Sequence, residues 1–182
     1  LACPSKTVCS TCNTGGYFTL SGSSCVCSSG YALNNSDCYP CTTFLSNCAT
    51  CSSTTVCTSC QNGYAINATT CSSCVSFMIG CVTCSSKTAC SSCNTGANFY
   101  LSGSSCACSS GYVLDSSICS SCVSFMPGCL TCSSKTACSS CNTAGNFYLS
   151  GSTCVCNSGY ALNNSICSPC TAFLSNCATC SS

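Results

Sequence analysis

The stretch CSSKTACSSCNT occupies residues 84–95 and returns unchanged at residues 132–143, and a close copy, CPSKTVCSTCNT, fills residues 3–14. Each copy carries three cysteines and one lysine, and those lysines, Lys6, Lys87 and Lys135, are the only basic side chains of the chain. A phrase repeated this faithfully marks a tandem array, and the period decides the fold. Reading outward from Cys81, the spacing is C-x2-C-x5-C-x2-C-x12-C-x-C-x10-C-x2-C-x6, and it starts again at Cys129, so residues 81–128 and 129–176 are two long units of eight cysteines each. Residues 48–80 form a short unit, C-x2-C-x5-C-x2-C-x10-C-x2-C-x6, which lacks one cysteine-bounded finger and has six cysteines. Residues 1–47 read as a long unit without its first cysteine, and residues 177–182 as the start of another short unit.

A higher period lies above these units. Residues 1–53 align without gaps on residues 130–182, with 41 of 53 positions identical, an offset of 129 residues that equals one short and two long units. The expected organisation is therefore a short-long-long super-repeat, seen through a window of about one and a half turns of a longer array.

Composition sets what such an array can be. Thirty-one of 182 residues are cysteine, histidine and tryptophan are absent, and the remainder is dominated by Ser, Thr, Gly, Asn and Ala. This density of cysteine without histidine indicates a disulfide scaffold made in an oxidising compartment, hence a secreted or cell-surface protein. With no more than four large apolar residues between successive cysteines no conventional core can close, so cross-links must replace it. Three lysines against two aspartates, Asp37 and Asp115, leave a net charge of +1. That balance provides no basic patch for nucleic acid or an anionic membrane, and no apolar run is long enough to cross a bilayer. A chain only 3% charged has little to keep it apart from its copies, so it is expected either to carry glycans or to self-associate into a fibre or coat.

Between cysteines the chain alternates briefly, as in NFYLSGSS and GYALNNS, and these pieces read as two-stranded hairpins joined by tight turns, each with a disulfide across its base. The expected fold class is a small disulfide-rich repeat protein, tandem short β-hairpin modules forming an elongated rod with little regular secondary structure and order that is local and sequential.

The pattern C-x6-C-x2-C-x5-C-x2-C, from Cys74 to Cys93 and from Cys122 to Cys141, resembles the furin-like cysteine-rich repeats of growth-factor receptors. The wording NCATCSSTTVCTSCQNGYAI is similar to that of ciliate cysteine-rich surface proteins, the immobilisation antigens among them. In such repeats a module joins its first cysteine to its third and its second to its fourth, and a one-bridge finger follows. Carried onto this chain, the resemblance implies Cys12 with Cys25, Cys27 with Cys38, Cys41 with Cys51, Cys48 with Cys57, Cys60 with Cys71, Cys74 with Cys84 and Cys81 with Cys90. It continues with Cys93 and Cys106, Cys108 and Cys119, Cys122 and Cys132, Cys129 and Cys138, Cys141 and Cys154, Cys156 and Cys167, and Cys170 and Cys180. By the same rule Cys3, Cys9 and Cys177 have partners outside the window. The C-x-C of the long units departs from the family pattern.

Chemistry is scarce. Repeated C-x2-C invites zinc, but the x12 and C-x-C spacings do not form matched ligand quartets, so no metal or other cofactor is expected beyond covalent N-glycans and O-glycans. Acid–base or nucleophilic catalysis needs a titratable partner; histidine and glutamate are absent and Asp37 and Asp115 are not equivalent positions, so the chain is read as no enzyme. The positive signal is glycosylation: Asn34, Asn67 and Asn163 hold one position of the Gly-Tyr finger, each in an N-x-[ST] acceptor, and Asp115 stands there in the fourth copy. Aromatics recur too, Phe44, Phe77, Phe125 and Phe173 in the x6 loop and Tyr31, Tyr64, Tyr112 and Tyr160 after the finger glycine. They read as packing anchors over the disulfides, with a carbohydrate- or partner-binding stripe as the alternative, and the periodic Phe would also suit lateral contacts between rods. Together these features point to an extracellular structural glycoprotein, a stapled repetitive filament or coat; the alternative is a receptor or adhesion ectodomain with a specific ligand.

Overall fold

The structure is a computed structural model that describes residues 8–180. Its regular structure is almost all β, in ten separate two-stranded sheets. They are of three kinds, two of which are the fingers written in NFYLSGSS and GYALNNS. The third lies inside the phrase that repeats: Cys48–Ser53 pairs with Val56–Cys60, Cys81–Ser86 with Ala89–Cys93, and Cys129–Ser134 with Ala137–Cys141. Each of these module hairpins is irregular in register: both strands carry C-x2-C, but the first has six residues and the second five, and bulges absorb the mismatch. The serines and threonines that crowd the phrase also have work there. Thr50 with Ser59, Thr83 with Ser92 and Thr131 with Ser140 join the two strands through hydroxyl hydrogen bonds of 2.5 Å.

The Gly-Tyr fingers are Tyr31–Asn34 with Asp37–Pro40, Tyr64–Asn67 with Thr70–Ser73, Tyr112–Asp115 with Ile118–Ser121, and Tyr160–Asn163 with Ile166–Pro169. Their leading glycine is required by geometry. Gly30, Gly63, Gly111 and Gly159 all sit near φ +84°, at +85°, +85°, +84° and +83°, and a Cβ there would meet the carbonyl oxygen of Ala49, Val82, Leu130 or Ala178 in the following module hairpin. The left-handed backbone is what calls for glycine, and at Gly111 the 3.1 Å approach to Leu130 O leaves a side chain little room as well. The extra finger of the long units is Phe18–Ser21 with Ser24–Cys27 and Phe147–Ser150 with Thr153–Cys156, and its strands recur at Phe99–Ser102 and Ser105–Cys108.

The disulfides do not close individual fingers. Opposite Cys38, Cys71, Cys119 and Cys167 stand Leu33, Ile66, Leu114 and Leu162, so a finger contains no second cysteine for its own to reach. Its cysteine reaches back instead. Cys38 bonds Cys27 of the preceding strand, Cys71 bonds Cys60, Cys119 bonds Cys108, and Cys167 bonds Cys156. The expectation of a bridge across each hairpin base is replaced by one that ties each finger to the element before it. Within the module hairpin a bridge does join the two paired strands, Cys48 to Cys57, Cys81 to Cys90 and Cys129 to Cys138. A second anchors the helical turn ahead of it, through Cys41–Cys51, Cys74–Cys84 and Cys122–Cys132. Cys12–Cys25, Cys141–Cys154 and Cys170–Cys180 follow the same scheme, and Cys93 and Cys106 are both disulfide-bonded. For loops of this length the chain-entropy contribution is just under ~3 kcal/mol per bridge.

Two compact units result, Leu1–Cys93 with Gly103–Ser105, and Asn94–Ser102 with Cys106–Ser182. Each packs around sulfur. In the first, Cys41, Leu45, Cys48 and Cys57 are buried, with Phe44 and Ile66 against them. In the second, Cys122, Met126, Cys129, Cys138, Cys141, Phe147 and Cys167 are buried, with Phe125 and Tyr160 against them. The most enclosed side chains are half-cystines, Cys74 and Cys122 at 0% exposure. That is what replaces a core when apolar residues are this sparse. Gly128 shows how tight the second unit is, because a Cβ there would come within 2.4 Å of the Phe147 ring.

Candidate functional site

The lysines answer the question their repetition poses. Lys87 stands in the turn between Cys81–Ser86 and Ala89–Cys93, at the tip of a module hairpin. From there Lys87 Nζ donates to Asn67 Oδ1 at 2.7 Å, reaching the last residue of the first strand of the preceding Gly-Tyr finger. Lys135 occupies the same turn one unit later and makes an ion pair with Asp115, the equivalent fingertip residue. Both ammonium groups also lie over an aromatic ring of the x6 loop, Lys87 at 5.8 Å from the Phe77 centroid and Lys135 at 5.7 Å from that of Phe125. Each lysine is therefore a clasp between a module tip and the finger before it. Exposure limits its contribution to at most about 1 kcal/mol. Sequence spacing concealed the partnership, since lysine and fingertip are twenty residues apart; the lysine's fixed place in the repeat was the available signal. Lys6 and Cys3 lie outside the described residues.

The three acceptor asparagines all end the first strand of a Gly-Tyr finger, with the hydroxyl residue of their motif, Ser36, Thr69 or Ser165, in the turn that follows. Asn35 and Ser36, and likewise Asn164 and Ser165, have positive φ, the backbone of a tight hairpin turn for which Asn is suited. Asn67 and Asn163 are exposed and Asn34 is half-buried. Asn67 is engaged at both ends, since its Nδ2, the atom that would carry a glycan, donates to Ser72 Oγ at 3.3 Å.

Two sulfur triads have the compactness of metal sites. The Sγ atoms of Cys48, Cys57 and Cys71, and those of Cys129, Cys138 and Cys154, lie within 4.8 Å of one another. All six are held in disulfides, and a half-cystine has no thiolate to give a metal ion. The closeness reflects stacking of consecutive bridges, with Cys57 Sγ at 3.4 Å from Cys71 Sγ and Cys138 Sγ at 3.3 Å from Cys154 Sγ. Cys177 is a half-buried thiol whose Sγ donates to Thr179 O at 3.0 Å, and the Cys9 amide donates to Ser23 O at 2.9 Å.

The repeated aromatics are mostly half-buried, and Phe173 is exposed. Tyr31 differs from its equivalents in having a ring stacked on it, Tyr17, at 4.3 Å between centroids and 14° between planes. Desolvation raises the Tyr31 phenol above its ordinary value, and the neighbouring Tyr17 adds to that. No protein-family model, curated protein or solved structure matches the chain.

Proposed function

We propose that this chain is a segment of an extracellular structural glycoprotein that assembles into a filament or surface coat, and that it has no catalytic role. The observation that carries the proposal is the bridging order: each finger is tied to the element before it, in the same way in every unit, so added repeats extend the structure by one rule. A tandem hairpin array with this many disulfides and no described helix able to cross a membrane fits a secreted or surface-exposed protein.

Self-association is supported by apolar side chains that recur at the surface. Val75 and Val123 are 57% and 52% exposed, and Val82 and Leu130 are 49% and 53% exposed, each pair one long unit apart. Glycans at Asn34, Asn67 and Asn163 would supply the hydration that the uncharged surface lacks. Electron microscopy of the native material is the test. Filaments or a sheet-like coat support the proposal; dispersed single particles that bind one soluble ligand would replace it with the receptor or adhesion reading. Intact-glycopeptide mass spectrometry is expected to find sugar on at least two of the three asparagines, with aggregation increasing once it is removed. Several zinc ions per native chain would overturn the disulfide scaffold itself.

A further inference from the structure

Each long unit opens a cavity between its extra finger and its Gly-Tyr finger. In residues 129–180 it has a volume of about 400 Å³ and is lined by Phe147, Tyr148, Ser150, Val155, Tyr160 and Leu162, among others. The equivalent place one unit earlier holds about 540 Å³, lined by Tyr100, Ser109, Ser110, Tyr112 and Thr131 with backbone and sulfur around them. Tyr100 and Tyr112 are the counterparts of Tyr148 and Tyr160, 48 residues on. The short unit lacks the extra finger.

We propose that the two cavities pairing Tyr100 with Tyr112 and Tyr148 with Tyr160 are binding sites for a neutral pyranose sugar. The lining chemistry selects the ligand class. No charged side chain borders either cavity, so an anion or cation would lose hydration with nothing to replace it. Aromatic rings stand beside serine and threonine hydroxyls, and a neutral pyranose matches both at once, with C–H faces for the rings and hydroxyls for the hydrogen-bonding groups. Both volumes fall in the range of small-molecule sites, roughly 300–1,000 Å³. Tyr100 and Tyr148 are each 48% exposed, large rings left open to solvent at the mouth. Two equivalent sites in one compact unit fit a polymer of repeating sugars, because the second site then binds at a high effective concentration.

The first long unit is the internal contrast. Its cavity, about 340 Å³, keeps Phe18, Val26, Tyr31 and Leu33, the counterparts of Phe147, Val155, Tyr160 and Leu162. But position 19, equivalent to Tyr148, is threonine, and Thr19 does not border the cavity. The ring pair that defines the proposed site is therefore absent there.

The test is saturation-transfer NMR and calorimetry on the full, disulfide-intact chain, with cellohexaose, mannohexaose and the N-acetylglucosamine hexamer as probes and a heparin hexasaccharide as the charged control. At least one neutral hexamer is expected to bind in the millimolar range or tighter, and the heparin fragment to bind less. The double variant Tyr100→Ala, Tyr148→Ala should weaken that binding at least tenfold, while Tyr39→Ala, which removes an exposed tyrosine outside both cavities, should leave it unchanged. Because Tyr100 and Tyr148 are exposed, the double variant is expected to fold, which is checked by an unchanged disulfide map. Adding Tyr at position 19 with Thr19→Tyr should raise the number of sites. Failure of all neutral hexamers to bind, equal binding of heparin, or binding indifferent to the double variant would each overturn the proposal.

The sugar could belong to a separate polysaccharide or to the glycans of another copy. Comparing chain made with and without N-glycans separates the two. Self-association that needs the glycans and is dissolved by the free hexamer assigns the second source, and hexamer binding without such self-association assigns the first. Neither result depends on the filament reading, which microscopy tests separately.

Discussion

Residues 1–53 and 130–182 differ at only twelve positions, yet they use their tyrosines in opposite ways. In the first copy Tyr17 lies on Tyr31 and position 19 is threonine; in the second, Asn146 replaces Tyr17 and Tyr148 replaces Thr19. One aromatic ring has moved two residues along the chain, from an internal stack to the mouth of a cavity. The backbone does not notice, since Tyr17 and Asn146 are both left-handed, at φ 60° and 63°. Asparagine accepts that conformation readily, whereas for tyrosine it costs about 1–2 kcal/mol. An aromatic pair returns about 0.5–1.5 kcal/mol, so the two copies reach similar stability by different means. The lesson is that the disulfide frame fixes the backbone and leaves single side chains free to change the surface.

If so, removing equivalent bridges should hurt both copies alike. Replacing both members of Cys27–Cys38, or of Cys156–Cys167, by serine should each cost about 2–5 kcal/mol of local stability, read by hydrogen exchange of the finger that follows. A large loss in one copy and none in the other would break the equivalence. The next effect concerns the second copy's packing. Phe147 is buried, at 4% exposure against Gly128, and Phe147→Ala should cost about 3 kcal/mol or more in thermal unfolding.

The tyrosine exchange itself should be nearly silent. Tyr17→Asn is expected to shift stability by less than about 1 kcal/mol, strain relief offsetting the lost stack. It should, however, change titration. Tyr31 has a raised value in the folded chain, so the folded state holds its proton more tightly than the unfolded state does. The stabilisation is present in full below the ordinary tyrosine range and is lost as pH rises through the raised value. In a rapid tyrosinate absorbance titration, Tyr31 should ionise at lower pH in Tyr17→Asn than in the parent.

Smallest of all should be the clasps. Lys87→Ala and Lys135→Ala should each cost at most about 1 kcal/mol, and added salt should weaken only the second contact, because Asp115 is charged and Asn67 is not. Equal salt sensitivity would show that the ring contacts with Phe77 and Phe125 dominate.

Repeat period, hairpin class and the stiffening role of cysteine were all legible in the sequence, because spacing encodes them directly. The role of the phrase itself was less so. Its alternation is masked by bulges, and nothing in CSSKTAC marks it as two paired strands until Thr83 and Ser92 are seen facing each other. The fingertip partners of Lys87 and Lys135 were hidden for another reason: they meet through the fold, twenty residues away. The cavities were hidden as well, since they depend on which face of a four-residue strand Tyr100 or Tyr148 presents. Glycine at position 128 and asparagine at positions 47 and 176 look unrelated on paper, but all three are left-handed, at φ 74°, 59° and 63°, ahead of a module cysteine.

The bridging order also decides where the chain can be cut. Between Cys108 and Cys180, nearly every peptide bond lies inside a loop closed by a disulfide, so a protease that hydrolyses it leaves the two parts joined. The exceptions are the short links of C-x2-C and C-x-C: Ser120–Ser121, Ser139–Ser140, Val155 and Ser168–Pro169. Each of those links lies in a paired strand, where the extended backbone is already engaged and a protease cannot draw it into its cleft without first opening the hairpin. A digestive environment can therefore nick this segment many times before it severs it once.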